Sequence, residues 1–158
     1  MTVKAKWYGK EWDASVHAEM KQRLGRAVGE MARYARQHMS RKTNRDGSSP
    51  SSPGDFPAQV TGHGFGNISS EVQGLLGRWG TNVLYLKFLQ LGTKNHPVKV
   101  KNKKVLANAK TGQFFGKEVE VSMKPRPWMS LTNRAMFDRV TKILSAPMKS
   151  FRMGPRGL

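Results

Sequence analysis

The feature that most limits what this chain can fold into is a long apolar stripe over residues 13–39. Set at 100° per residue, Val16, Met20, Leu24, Ala27, Val28, Met31, Tyr34, Ala35 and His38 fall on one face. Lys21, Arg26, Arg33 and Arg36 fall on the other. The pattern predicts one amphipathic helix that has to bury its stripe against other elements. Gly25 and Gly29 lie opposite the stripe, and each costs about 1 kcal/mol of helix propensity relative to Ala. With Ala18 and Ala32 they form a strip of small residues. Two readings of that strip are open: glycines tolerated on a wetted face, or a face where another backbone, such as a neighbouring subunit's, comes close.

Residues 40–67 read as an extended loop. Arg41, Lys42 and Arg45 lead into Ser48-Ser49-Pro50-Ser51-Ser52-Pro53-Gly54, then Asp55-Phe56-Pro57 and Thr61-Gly62-His63-Gly64. Such a stretch is expected to hold neither a helix nor a central strand, and loops this long inside a compact domain are usually functional or disordered. From Asn67 the pattern turns to short strands. Residues 68–73 and 77–83 can pair across positions 74–76. Residues 85–91 fit either state, with Leu84, Phe88 and Leu91 favouring one or two helical turns ended by Gly92 as a C-cap. Val98-Lys99-Val100-Lys101, then 104–107, then 117–123 with Glu118-Val119-Glu120-Val121 alternating at period two, look like strands with one buried face.

Lys124-Pro125-Arg126-Pro127 breaks the chain again. A second helix is expected from Ser130 as N-cap to residue 146, carrying Met136, Phe137, Val140, Ile143 and Leu144 and stopped by Pro147. The order helix, long loop, small antiparallel sheet, helix is α+β, with the C-terminal helix packed on the sheet. One domain over residues 1–146 and a flexible basic tail over 147–158 account for the length.

The 158 residues hold 28 Lys plus Arg against 10 Asp plus Glu, a net charge of +18. The excess is +5 over residues 1–60, +8 over 61–129 and +5 over 130–158, so the folded body itself is basic. Nucleic acid, an acidic protein surface and anionic lipid are the partner classes this charge suits. The absence of cysteine excludes disulfides, thiolate nucleophiles and Cys-based metal sites. No apolar run approaches the ~20 residues of a membrane span. Lys4, Lys6 and Lys10 interleave with Trp7 and Trp12 and do not make a secretory leader. A soluble protein made in the cytoplasm is the expectation.

Catalytic patterns are sparse. His17 and His38 flank the apolar stripe, and His63 and His96 fall in loops, none at metal-ligand spacing with a carboxylate. Glu118 and Glu120 read as the wet face of a strand. Gly62-His63-Gly64-Phe65-Gly66 lacks the preceding strand and following Gly-Lys-Ser/Thr of a phosphate loop, so flexibility is its expected role. Neither a catalytic residue, a metal nor a cofactor is expected. The stronger signal is basic: Lys94, Lys99, Lys101, Lys103 and Lys104 crowd one segment, with Lys99 and Lys101 on one strand face and Val98 and Val100 on the other. Such a comb suits phosphates without reading sequence, or it is a solvated edge protected from aggregation.

Three segments resemble the motifs of one family. Pro53-Gly54-Asp55-Phe56-Pro57 followed by Thr61-Gly62 resembles a Pro-Gly-x-x-Pro…Thr-Gly signature. Tyr85-Leu86-Lys87-Phe88-Leu89-Gln90-Leu91-Gly92-Thr93 resembles a tyrosine-led Tyr-Ala-x-Tyr-Leu-Glu-x-Gly-Thr segment, and Arg126-Pro127-Trp128-Met129 resembles Arg-Pro-Phe-Leu. In this order, after a long amphipathic helix and over residues 13–146, they are similar to the head–tail joining or tail-completion (neck) proteins of long-tailed bacteriophages. The resemblance implies a non-enzymatic virion protein made in the bacterial cytoplasm. It implies a homo-oligomeric ring, usually hexameric and twelvefold nearer the head, with DNA passing through the lumen. The implied partners are a head-side connector or stopper protein and a tail terminator or tail tube protein, with no membrane. A terminator ring capping the tail tube, or a sequence-nonspecific nucleic-acid-binding protein, is the alternative. The chain departs from the pattern at Gln90, where the family carries an acid, and in a lysine-rich insertion over 99–115.

Overall fold

Helix α1 runs over Gly9–Arg41, beginning four residues before the apolar stripe and ending two after it. The computed structural model describes residues 9–41, 51–58, 62–101, 105–107 and 112–148. Thr61, Lys103, Lys104 and the tail from 149 to 158 lie outside the described residues. At 1.5 Å per residue α1 is about 50 Å long, longer than the elements that pack on it. Its N-terminal turns are therefore largely exposed, and among the residues whose burial is described full burial is reached at Ala27, Val28, Ala32, Ala35 and Met39.

Strands β1 (Ile68–Gln73) and β2 (Leu76–Thr81) form an antiparallel hairpin in register from Ile68 opposite Thr81 to Gln73 opposite Leu76. This hairpin settles the small-residue strip. A Cβ built on Gly25 would lie 3.7 Å from Val72 and one on Gly29 4.0 Å from Ser70 Oγ, so β1 of the same chain approaches that face. Arg36 anchors the start of β1 by donating to the Ile68 carbonyl at 3.0 Å.

The region expected to be loop contains one helical turn, α2 (His63–Gly66). Gly62 turns the chain at φ 81 to start it, and Gly64 lets it pass beneath Tyr85, whose hydroxyl would overlap any Cβ placed there. Close packing, rather than flexibility, explains this glycine. Helix α3 (Leu84–Leu91) follows β2 and ends at Gly92, whose N–H donates to the Phe88 carbonyl at 2.7 Å. The chain then forms β3 (Thr93–Lys99), β4 (Leu106–Ala107), β5 (Phe114–Gly116) and β6 (Glu118–Met123), paired antiparallel as β3–β6 and β4–β5.

Helix α4 (Trp128–Ser145) begins two residues before the expected Ser130 cap, with Pro127 as its N-cap residue. It lies along α1 and meets the β1–β2 hairpin through Trp128, edge-on to Trp79 at 5.8 Å between ring centroids. The architecture is α+β: a long N-terminal helix, small antiparallel sheets and a C-terminal helix. The core gathers where the second half of α1, α3 and the start of α4 meet, around Ala32, Ala35, Met39, Phe56, Ile68, Leu86 and Trp128. The β3–β6 ladder stands outside it. Val98 and Val121, expected on a buried face, are 36% and 38% exposed.

Candidate functional site

The three motif segments, with the flanking residues Ser51 and Pro125, are bonded into one junction that spans 75 positions between Ser51 and Arg126. Gly54 N–H donates to the Pro125 carbonyl at 2.9 Å. Arg126 aims its guanidinium at Ser51: Nε donates to the carbonyl at 2.9 Å and to Oγ at 2.8 Å, and Nη2 to the same carbonyl at 2.6 Å. The described part of the loop, residues 51–58, is thereby clipped to the entrance of α4 within one chain. Between Pro53-Gly54 and Pro57, Phe56 is buried and packs on Tyr34 and His38, themselves stacked at 3.8 Å between centroids. His38 Nδ1 faces the Tyr34 carbonyl at 3.0 Å, which makes it part of this packing.

The second and third motifs meet directly. Arg126 N–H donates to the Leu89 carbonyl at 2.6 Å, and Trp128 Nε1–H to the Leu86 carbonyl at 3.2 Å. Gln90 replaces a missing cap: α4 has no side-chain cap at Pro127, and Gln90 Oε1 accepts from Met129 N–H at 2.9 Å while Nε2 donates to Ser130 Oγ at 3.1 Å. An acceptor at this place satisfies one of the unpaired N–H groups of a helix start. Thr93 Oγ accepts from Met123 N–H at 3.0 Å, closing the base of the β3–β6 ladder. Gly92, with φ 73 and ψ 179, makes the tight passage from α3 into β3.

The junction presents an apolar surface. Leu86 faces inward, so the short α3 turns Leu84, Tyr85, Phe88 and Leu91 outward, between 45% and 67% exposed. Register places Val98 opposite Val119, His96 opposite Val121 and Thr93 opposite Met123, so these share one sheet face. Between that face and α3 lies an open groove of about 690 Å³, lined by Tyr85, Phe88, Lys94, His96, Val121 and Met123 among others. Contiguous exposed apolar area of this kind marks interaction surfaces.

Of Lys99, Lys101, Lys103 and Lys104 in the lysine comb, only Lys99 and Lys101 fall among the described residues, and they do not share a strand face. β3 ends at Lys99, so Lys101 lies beyond the strand, and Lys99 Nζ is 3.4 Å from Glu118 Oε1 on the partner strand. With Glu120 one step on, that sheet face carries mixed charge. Among the described residues no group of three His, Asp or Glu is placed to hold a metal ion.

Ser51, Arg126 and Gln90 are the junction residues that the sequence does not mark as bonding groups. Arg126 opens one of the segments that carry the resemblance, and Gln90 departs from the pattern of another; their partners come from distant segments and leave no local signal. Comparison of the chain with protein-family models, with curated protein sequences and with solved structures finds no match.

Proposed function

We propose that this chain is a non-enzymatic virion structural protein that assembles into a ring at the neck of a long-tailed bacteriophage. The ring completes the tail, joins it to the head-side connector or stopper, and lets DNA pass through its lumen. The observation that carries the reading is the junction. The Tyr…Gly-Thr and Arg-Pro-Trp-Met segments, which carry the family resemblance, bond to each other, the Pro-Gly-x-x-Pro segment joins them through Ser51 and Pro125 beside the motifs, and the whole displays the apolar α3 and β3–β6 surface. A protein that spends three motifs on holding an uncovered apolar arm suits a subunit whose neighbours complete its packing.

Native mass measurement of the full chain, alone and with purified tail tube or head connector components, tests this. A closed ring of six or twelve copies is expected. Phe88→Asp, at an exposed position of the arm, is expected to abolish the ring while leaving the melting temperature within a few degrees. A monomer under every condition, with and without those components, refutes the reading.

A further inference from the structure

From residue 20 to the end of α1 there are six basic side chains and one acid, Glu30. Glu30 is 11% exposed and is shared by three guanidiniums. Arg139 of α4 donates to it through Nε and, at 3.2 Å, through Nη2. Arg26 Nε approaches at 3.5 Å and Arg33 Nη2 at 4.0 Å. Arg139 foremost, and Arg26, hold the carboxylate charged at the α1–α4 seam, yet Arg139, Arg26 and Arg33 are each more than half exposed, at 58%, 69% and 59%. Three cations around one anion leave two positive charges uncompensated at this spot. A guanidinium carries five N–H donors, and contact with Glu30 uses at most two of them.

The groove beside Glu30, lined by Gln22, Arg23, Arg26, Arg139, Lys142 and Ile143 among others, extends the charge along α4. Arg23 is already committed: it pairs with Glu19 at 2.6 Å and donates to the carbonyls of Leu144, Ala146 and Pro147, closing the C-terminus of α4. Arg26, Arg33, Arg139 and Lys142 are what the surface offers outward. Arg26 and Arg33 are seven residues apart on one helix, about 10 Å along its axis.

We infer that the α1–α4 groove, together with the Glu30 cluster beside it, is a docking surface for the phosphate backbone of duplex DNA, contacted by Arg26, Arg139 and Lys142 of the groove and Arg33 of the cluster. Four cations, Arg23, Arg26, Arg139 and Lys142, line the groove against one acid, Glu19, beside Ile143, Ala146 and Pro147. Protein partners favour an apolar, charge-depleted interface core, whereas DNA-binding faces are polar and strongly positive. Guanidinium forks match phosphate oxygens in pairs. The inference rests on the neck reading only for where DNA is met; the binding is a property of this groove.

The test is anisotropy titration of a short mixed-sequence duplex with the full chain over graded salt, beside sedimentation of the same samples. Wild-type protein is expected to bind with a steep salt slope. The double variant R26Q/R33Q keeps the Arg139–Glu30 pair and is expected to lower the slope by roughly 1.8, about 0.9 for each phosphate no longer neutralised. Lys142→Gln, at an exposed position, serves where the double variant does not melt like wild type, with an expected drop of about 0.9. The hairpin variant K99Q/K101Q is expected to move the slope less than R26Q/R33Q. An unchanged slope in R26Q/R33Q and Lys142→Gln overturns the inference. So does wild-type protein that ignores duplex at low salt but binds poly-L-glutamate, which would assign the groove to an acidic protein. A ring that does not bind DNA refutes this inference alone; a DNA-binding protein that never leaves the monomer refutes the neck reading alone.

Discussion

Replacing Gly92 by alanine adds one methyl group at the point where α3 turns into β3, and the structure allows its cost to be worked out. The residue has φ 73 and ψ 179, a region open essentially to glycine alone, which costs a side-chain-bearing residue about 1–3 kcal/mol. The new Cβ would lie 2.6 Å from the Met123 carbonyl oxygen, 3.0 Å from Pro125 N and 3.1 Å from Pro125 Cδ. These are backbone and ring atoms with no rotamer to retreat into, so overpacking adds about 1–3 kcal/mol. Alanine's lower unfolded-chain entropy returns about 0.4–1 kcal/mol. The net loss is about 2–5 kcal/mol, a large part of the ~5–15 kcal/mol that holds a domain of this kind.

Urea unfolding followed by tryptophan fluorescence reads this loss, since Trp128 is 1% exposed and sits against Trp79 in the core that the junction supports. With a slope of about 2 kcal/mol per molar urea, the midpoint should fall by roughly 1–2.5 M. Gly66→Ala is the control: nothing lies within 4 Å of its Cβ position and its φ is not positive, so a shift under about 0.5 kcal/mol is expected. Equal midpoints for the two variants would show that the α3–β3 passage relaxes freely and that the junction is not rigid.

Gln90→Ala should cost about 0.5–2 kcal/mol in the same assay through the lost cap on α4. Gln90→Glu should match or exceed wild type, because a carboxylate still accepts from Met129 N–H and adds a favourable anion at a helix N-terminus. Arg139's hydrogen bond, foremost, lowers the Glu30 carboxyl below its ordinary 4.5, against a smaller opposing effect of burial. Its folded value lies under its unfolded one, so this stabilisation is complete above the unfolded value and fades as pH falls below it. Glu30→Gln should therefore melt below wild type at pH 7, with the gap narrowing as pH falls under 4.5; a constant gap would assign the role to packing. Raising salt from about 0.05 to about 0.5 M should increase the oligomer fraction in sedimentation, since apolar contact persists while repulsion among copies of charge +18 is screened. A falling fraction would mean that ion pairs hold the copies together.

The helical stripe and α3 were legible in the sequence because each depends on local periodicity or on a C-cap glycine. Trp128 and Gly92 were legible as members of motifs, though not as neighbours. What stayed hidden depends on register and on distant pairing. The bulge between Thr93 and His96 decides that Lys99 faces Glu118, and no spacing rule reveals a bulge. Gly25 and Gly29 left a wetted face and a close approach both open, because the covering strand begins more than 30 residues later. Arg26 and Arg33 looked like an ordinary wetted face. Only the arrival of Arg139 from α4 shows that all three converge on one carboxylate.

The redistribution of charge changes what +18 means for assembly. Read along the chain, the excess looks uniform and its densest point is the lysine segment at 94–104. In the fold, Lys99 is partly neutralised by Glu118, while the α1–α4 seam holds three arginines on a single acid. The apolar arm of α3, β3 and β6 shares no lining residue with that seam. Copies can therefore meet through the arm without burying their arginines, and burying them unpaired would be costly in any case. In the proposed ring, association through the arm would gather the positive ridges of neighbouring copies. The repulsion that results grows with every copy added, and a polyanion running past all the ridges at once relieves it more effectively than any small counterion does.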